Sequence, residues 1–249
     1  MSKRLLNCGF VPLADSAPLI IAETLGFADD EGITLNLVRQ PSWAALRDLL
    51  ALGHLDVAHM LAPMPIAMSL GLSGPQVRTD ALMVLSVNGT VIGASCELAA
   101  KMRAAGWDGA FLDATQTRKA LLDPGPNVLR VGVPFPFSMH RLLFAYWMGD
   151  AIARFEFVTM PPSLMAGAVA AGELDLFCVG EPWGSIAVDS GVAELVLPGA
   201  LIWQFAPEKV LAARRRWAED NTETIGALMR AAYRAAEWLD RNENHALAA

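Results

Sequence analysis

Leu174-Asp175-Leu176-Phe177-Cys178-Val179-Gly180-Glu181-Pro182-Trp183 decides how this chain is read. The apolar run Leu174–Val179 has the composition of a buried strand, and Gly-Glu-Pro-Trp ends it. Proline suits the start of a helix, where its missing N–H leaves nothing unpaired. The stretch therefore reads as strand, turn and helix, with a carboxylate and an indole at the strand's carboxyl end, where open α/β sheets bind ligands. Ala51-Leu52-Gly53-His54-Leu55-Asp56-Val57-Ala58-His59-Met60 repeats the grammar of Ala170-Ala171-Gly172-Glu173-Leu174-Asp175-Leu176-Phe177-Cys178-Val179: helix end, glycine stop, Leu-Asp, strand. Gly9-Phe10-Val11-Pro12 and Gly132-Val133-Pro134-Phe135 form a second matched pair. The echo implies two similar α/β lobes.

Composition narrows the classes. At 249 residues the chain is long enough for two lobes of roughly 100 residues each. The net charge of −7 argues against a nucleic-acid backbone as partner. An acidic protein still binds an anion where local donors converge. Cys8, Cys96 and Cys178 are odd in number and lack C-x-x-C spacing, which excludes a disulfide framework and a cysteine zinc site. All three are expected to be buried, inert thiols. Lys3 and Arg4 lead directly into strand-like Leu5–Phe10, with no secretory apolar region, so the expected location is cytoplasmic, or periplasmic if a leader has been removed. Met60–Val77 is uncharged, but Pro63, Pro65, Pro75 and glycines interrupt it, so no membrane span is expected.

Pattern and caps place the elements. Leu5–Phe10, Ile33–Val38, Val57–Met60 and Leu82–Val87 read as strands. Helices capped by Asp15 or Ser16 and by Ser42 fall between them, which predicts a parallel sheet. Asn88-Gly89 breaks the pattern and begins a crossing near Val87–Val91. Strands Leu129–Val133, Phe155–Val158, Leu174–Val179 and Ala193–Leu197 alternate with helices in the second lobe, and the chain returns near Val196–Ile202. A helix over Pro207–Glu219, with Arg214-Arg215-Arg216 as a solvated face, precedes a terminal helix from Thr222 to about Asn242. Ile225, Leu228, Met229, Ala232, Ala236 and Leu239 form an apolar stripe on that last helix. The expected division is 1–88 with 199–249 as lobe I, and 89–198 as lobe II.

Several pieces, in order along the chain, resemble the nitrate/bicarbonate-binding branch of ABC-transporter solute-binding proteins. They are Phe10-Val11-Pro12-Leu13-Ala14-Asp15-Ser16-Ala17-Pro18-Leu19-Ile20, His59-Met60-Leu61-Ala62-Pro63-Met64-Pro65, His140 with Tyr146-Trp147-Met148, Cys178-Val179-Gly180-Glu181-Pro182-Trp183, and Ile202-Trp203 with Pro207-Glu208-Lys209. The resemblance implies a two-lobe, type II periplasmic-binding-protein-like α/β fold with a ligand cleft between the lobes. It implies a small ligand, with a nitrate- or nitrite-like oxyanion as the expectation, and no cofactor. The implied partner is an ABC permease or, as in the cytoplasmic nitrate/nitrite-sensor members, a regulatory antiterminator. Members of the branch are longer at the C-terminus than this chain.

The resemblance also selects site residues. His140, just after the probable cap Ser138, matches the branch's anion-contacting histidine, in a first helical turn that itself favours anions. Met60 stands where nitrate binders place an indole, Thr90 where they place a glutamine, and Gln204 where they place a lysine. These three departures suit a neutral or weakly charged polar ligand better than nitrate, because an unpaired buried anion is costly. Trp43 has two readings, ligand contact or helix anchor, and Trp183 has the same two. Ser16 is a cap or a ligand contact, and Glu181 a cap, an interlobe hydrogen bonder or a ligand contact. His54 and His59 lie five residues apart, on opposite faces of any shared strand, so no metal site is expected. The sequence lacks G-x-S-x-G, a P-loop and G-x-G-x-x-G. The expectation is a binding protein without turnover. The alternative is a cytoplasmic enzyme on the same fold, of the menaquinone- or thiamine-precursor type.

Overall fold

The computed structural model describes residues 3–123 and 128–241. The chain divides into two compact units, one running to Ser86 and resuming at Lys209, the other spanning Val87–Glu208. The return to the first unit thus falls later than the expected position 198. Among the described residues no helix is long and apolar enough to cross a membrane.

The first unit begins β1 (Arg4–Phe10), α1 (Ala17–Thr24), α2 (Phe27–Asp30), β2 (Ile33–Arg39), α3 (Trp43–Leu52), β3 (Val57–Leu61), α4 (Met64–Ser69) and β4 (Thr79–Val87). Ser42 caps α3 by accepting a 3.2 Å bond from the Ala45 N–H, and Gly53 ends it at φ +88°, a left-handed conformation that glycine adopts without steric cost. The second unit holds β5 (Thr90–Ser95), α5 (Cys96–Ala104), α6 (Ala114–Leu122), β6 (Leu129–Val133), α7 (Met139–Met148), β7 (Phe155–Thr159), α8 (Pro162–Ala170), β8 (Leu176–Gly180), α9 (Trp183–Asp189) and β9 (Ala193–Pro198). Then come β10 (Pro207–Arg214), α10 (Arg215–Asp220) and α11 (Thr222–Leu239). The expected end of the last helix at Asn242 lies outside the described residues.

Each unit is built on a five-stranded sheet, ordered β2-β1-β3-β10-β4 in one and β7-β6-β8-β5-β9 in the other. In the first sheet β1 runs parallel to β2 and β3, and β10 pairs antiparallel with β3. In the second, β6 runs parallel to β7 and β8, and β5 pairs antiparallel with β8 and β9. Both sheets are therefore mixed, not parallel.

Two strands depart from the expected elements. β5 occupies what reads as a crossing. Its Gly93 lies under the Phe177 ring, where a Cβ would come within 2.1 Å of Cζ, so the sequence loses apolar signal at the point of closest packing. β10 replaces the first part of the helix expected over Pro207–Glu219. Ala212 and Ala213 favour a helix intrinsically, but Lys209–Ala213 are buried and pair with Val57–Leu61, and burial in the sheet overrides local propensity. Arg214 accordingly does not belong to a solvated helical face. It ends β10 and donates to the carbonyls of Leu50 and Leu55, satisfying the C-terminus of α3. Cys8 and Cys178 are buried, and burial, with a smaller push from Asp56, raises the Cys8 thiol to about 12. Cys96 is exposed instead, because it opens α5 on the outer side.

The cores follow from these layers. In the first unit Leu6, Cys8, Val57 and Leu211 of the sheet pack against Leu19 and Ala22 of α1 and Ile225, Leu228, Ala231, Ala232 and Ala235 of α11. One side of the second unit's sheet packs Phe144 edge to face with Trp147, Phe155 and Phe157, with ring centroids 5.0–5.7 Å apart.

The repeated Leu-Asp grammar has a specific structural meaning. Cys8 pairs with Val57 and Gly9 with Ala58, while Val131 pairs with Leu176 and Gly132 with Phe177. In each unit the aspartate just before the central strand is stapled to the neighbouring parallel strand. The Asn7 N–H donates to Asp56 Oδ2 at 2.8 Å, and the Asp56 N–H donates to the Asn7 carbonyl at 2.9 Å. The Arg130 N–H donates to Asp175 Oδ2 at 2.8 Å, and the Asp175 N–H to the Arg130 carbonyl at 3.0 Å. The preceding leucine covers the matched glycine: a Cβ on Gly9 would lie 2.4 Å from Leu55 Cδ1, and one on Gly132 would lie 2.6 Å from Leu174 Cδ1. Asp56→Ala or Asp175→Ala leaves a strand N–H without its acceptor, and each should cost about 1–3 kcal/mol in urea unfolding. Asp56→Asn keeps an acceptor oxygen and should cost less.

Candidate functional site

The first unit gathers its buried polar groups at the carboxyl ends of β1 and β3. After β1, Ala14–Ser16 form a 3-10 turn that leads into α1. The Ser16 hydroxyl donates to the Leu13 carbonyl at 2.7 Å and makes no cap bond to α1, so the expected cap is absent. Asp15 is not a cap either. Its Oδ2 lies 2.7 Å from Lys209 Nζ and its Oδ1 lies 2.9 Å from His59 Nε2.

Strand register explains why these groups meet. Leu211 lies opposite His59 and Lys209 opposite Leu61, which puts His59 and Lys209 on one face of the sheet. Met60, opposite Val210, lies on the other face, away from the cluster. Trp43, the first residue of α3, closes the group. Its ring centroid is 5.5 Å from Lys209 Nζ, a cation–π contact, and 5.7 Å from the His59 ring. Trp43, His59 and Lys209 are all 0–1% exposed.

The electrostatics of the cluster are dominated by opposite charges in close contact. Burial acts to raise the Asp15 carboxyl, but the Lys209 ammonium and the His59 bond outweigh it and hold Asp15 well below the usual carboxylate range. Four buried polar atoms of the cluster are without a hydrogen-bond partner among the described residues, Asp15 Oδ1 and His59 Nε2 among them. Trp43 Nε1 and His59 Nδ1 are buried with no hydrogen-bond partner. Indole nitrogen is a donor and nothing else.

The second unit holds its own polar groups. Ser138 caps α7 by accepting from the Arg141 N–H at 3.3 Å, which fixes His140 in the first turn. His140 Nδ1 lies 3.4 Å from Glu208 Oε1, with both side chains about 1% exposed. Thr90, opposite Gly180, is buried, and its Oγ1 lacks a partner among the described residues. Gly199 sits against it, where a Cβ would come within 2.0 Å of Thr90 Oγ1. Glu181 accepts from the Ser185 N–H at 3.0 Å and so caps α9, and Trp183 packs partly buried against the core around Phe177 and Val179. The Gln204 side chain is exposed. Its carbonyl accepts from Asn88 Nδ2 at 2.8 Å, while Asn88, at φ +63°, donates its N–H to the Ala206 carbonyl at 2.8 Å and accepts from the Ala206 N–H at Oδ1 at 3.1 Å.

Sequence reasoning missed the cation. It sought a lysine at position 204, whereas the buried lysine is Lys209, concealed by the helical reading of Pro207–Glu219. It also weighed His59 only as a metal ligand. The available signal was a histidine inside the apolar run Val57–Leu61 and a lysine at the head of Val210–Ala213, since polar residues buried in strands need partners. Among the described residues no group of three His, Cys, Asp or Glu could hold a metal ion.

Breaking the Asp15–Lys209 pair should be severe. Asp15→Asn removes the carboxylate charge beside a buried ammonium and is expected to cost about 3–5 kcal/mol at neutral pH. Asp15 binds its proton less readily folded than unfolded, so its contribution is present above about pH 4, the ordinary unfolded carboxyl value, and fades as pH falls further. The stability gap between parent and variant in urea unfolding should therefore narrow on acidification.

The NMT1-like family model matches residues 1–249. The chain is 32% identical over 250 residues to the nitrate/nitrite binding protein NrtA of Nostoc sp. (strain PCC 7120 / SAG 25.82 / UTEX 2576), an alignment covering 95% of this chain and 54% of that protein. It is 36% identical over 244 residues to the nitrate import ATP-binding protein NrtC of Synechocystis sp. (strain ATCC 27184 / PCC 6803 / Kazusa), covering 94% of this chain and 35% of that one. The crystal structure of the periplasmic nitrate-binding protein NrtA from Synechocystis PCC 6803 superposes with a TM-score of 0.85 at 30% identity, over 99% of this chain and 64% of that chain. The chain thus spans about half the length of NrtA from Nostoc, and about a third of NrtC. The alkanesulfonate-binding protein SsuA from Xanthomonas axonopodis pv. citri, bound to MOPS, shares the fold at a TM-score of 0.72 and 15% identity, over 100% of this chain and 78% of that one. With two mixed five-stranded sheets of matching order and these structural neighbours, the fold is that of the periplasmic binding proteins, and the chain belongs to the NMT1-like family.

Proposed function

We propose that the chain is the ligand-binding part of a small-oxyanion receptor that serves an ABC-type importer and carries out no turnover. One observation carries this reading. A donor-only group, Trp43 Nε1, is buried without an acceptor beside the buried ammonium of Lys209. A buried donor without a partner costs about 1–3 kcal/mol, and an acceptor ligand removes that cost. A small oxyanion offers only acceptors and a negative charge, which suits a donor flanked by a cation.

The similar proteins point the same way. Those described above are named for binding nitrate or nitrite, for nitrate import, or for binding alkanesulfonate, and the bicarbonate transport protein CmpC of Synechocystis is 32% identical over 239 residues, covering 94% of this chain and 35% of that protein. A stretch of an import ATP-binding protein resembles this chain, which supports a transport ATPase system as its partner. An enzymatic role on the same fold has no comparable support from the arrangement of groups.

Calorimetric titration with nitrate, nitrite and bicarbonate tests the proposal, and saturable one-to-one binding of at least one is expected. Trp43→Phe removes the indole donor while keeping most of the ring, and should weaken that binding by about 1.5–3 kcal/mol, roughly tenfold to a hundredfold. If none of the three binds, or if Trp43→Phe leaves the affinity unchanged, the reading is wrong.

A further inference from the structure

The sheet of the first unit has two edge strands, β2 and β4, and they are finished differently. On β2 the Leu35 N–H donates to the Glu23 carboxylate at 2.7 Å, so a side chain covers that edge. On β4 a side chain covers the start. The Thr79 N–H donates to Ser69 Oγ at 3.0 Å, and that hydroxyl donates to the Thr79 carbonyl at 3.2 Å. The strand then runs Ala81-Leu82-Met83-Val84-Leu85-Ser86-Val87, with no charge and no proline, two of the devices that protect an open edge.

The two ends of β4 show which way its peptide groups point. The Arg78 carbonyl accepts from the Arg215 N–H at 2.9 Å, just past β10, and the Asn88 N–H donates to the Ala206 carbonyl at 2.8 Å, just before β10. Residues 78 and 88 therefore both turn their backbone toward β10. Along a strand the N–H and C=O of one residue point to the same side, and the side alternates from residue to residue. Leu82, Val84 and Ser86 thus face β10. Ala81, Met83, Leu85 and Val87 direct their peptide groups outward, as Thr79 does toward Ser69. Among the described residues no strand pairs with this outer edge, and the Val84 and Val87 side chains are each 48% exposed.

We propose that the outer edge of β4 is a dimerisation surface, on which a second copy of this chain adds its own β4, antiparallel and centred on Val84. In that register Met83 lies opposite Leu85 of the second copy and Ala81 opposite Val87. All four outward-facing residues then meet one another in hydrogen-bonded pairs. Val84 meets Val84 in the non-hydrogen-bonded position, where side chains come closest. No other centre pairs all four. The same register keeps like charges apart: the two Asp80 carboxylates, each held by its own Arg215, end about 26 Å from each other at roughly 3.3 Å per residue. Beside the edge, a groove of about 520 Å³ continues the apolar surface from Met83 to Met229 and Tyr233 of α11. Its rim carries both signs, Arg230 and Arg234 with Glu31 and Glu237, which suits an identical copy better than a partner of one strong charge.

Sedimentation velocity on the full chain, from about 1 µM to about 500 µM, should show a monomer–dimer equilibrium that follows mass action. Residue-resolved amide exchange gives the register. The amides of Ala81, Met83, Leu85 and Val87 should exchange about tenfold or more slowly in the dimer than in dilute monomer, while those of Leu82, Val84 and Ser86 should change little. Val84→Lys sets two ammonium groups opposite each other and should weaken the dimer about tenfold, and Val84→Glu should do the same with two carboxylates. Mixing the two variants should restore a heterodimer, because opposite charges then face each other. Should the Val84 variants fail to fold, the alternating exchange pattern of the parent decides alone. A monomer at every concentration would overturn the inference and leave this edge to a strand of another protein. A dimer indifferent to Val84→Lys, or one whose outward amides exchange as fast as in the monomer, would also overturn it.

Discussion

A fully buried ammonium governs the chemistry of the first unit. Lys209 is 0% exposed, so its charge must be answered within the protein. Asp15 answers it at 2.7 Å, and the Trp43 ring face adds a cation–π contact. That requirement fixes much else. The turn after β1 must deliver a carboxylate to the end of β3, which it does in three residues of 3-10 helix. β10 must lie antiparallel to β3 in a register that puts Lys209 on the same face as His59. α3 must start with its indole against both. A buried pair of this kind contributes little net stability compared with apolar packing, but removing either member is expensive. Its effect is to hold three elements in one arrangement.

The frame around this cluster was largely legible in the sequence. Gly53-His54-Leu55-Asp56 and Gly172-Glu173-Leu174-Asp175 mark the same device twice, because the device uses short-range chemistry: a glycine to stop the helix, a leucine to cover a strand glycine, and an aspartate to bind a strand N–H. The Ser42 and Ser138 caps were legible for the same reason, since a hydroxyl three residues before a helical N–H is a local matter. The antiparallel members β5 and β10 were not. Their pairing is with strands far away in sequence, and Gly93, Ala212 and Ala213 carry weak strand propensity of their own. Misreading β10 as a helix also hid Lys209, whose importance depends entirely on which face of a strand it occupies.

The site residues divide along the same line. His140 in a capped first turn and Glu181 as a cap of α9 follow from neighbours in sequence. Placing Met60 beside the ligand required the sheet face to be known, and the register turns its side chain away from His59 and Lys209. Gln204 displays its side chain to solvent, while its backbone is what the structure uses, through Asn88. Trp43 had two readings in the sequence, and the structure shows its ring packed against Lys209 and His59, with Nε1 unpartnered among the described residues.

Two units built on the same stapled strands nevertheless carry different polar groups, and that difference separates fold from ligand. The first unit has ammonium, carboxylate, imidazole and indole on one sheet face. The second has an imidazole against a carboxylate and a threonine hydroxyl under a glycine. None of these side chains takes part in the Leu-Asp staples, so the strand frame and the buried polar groups rest on different residues. Similarity to binding proteins for nitrate and alkanesulfonate is expected on that basis, since all of them need only the frame in common. Beyond the frame, each unit leaves a few buried polar atoms without hydrogen-bond partners among the described residues. In the first unit those atoms include one that only donates, Trp43 Nε1, and one that donates or accepts according to its proton, His59 Nδ1.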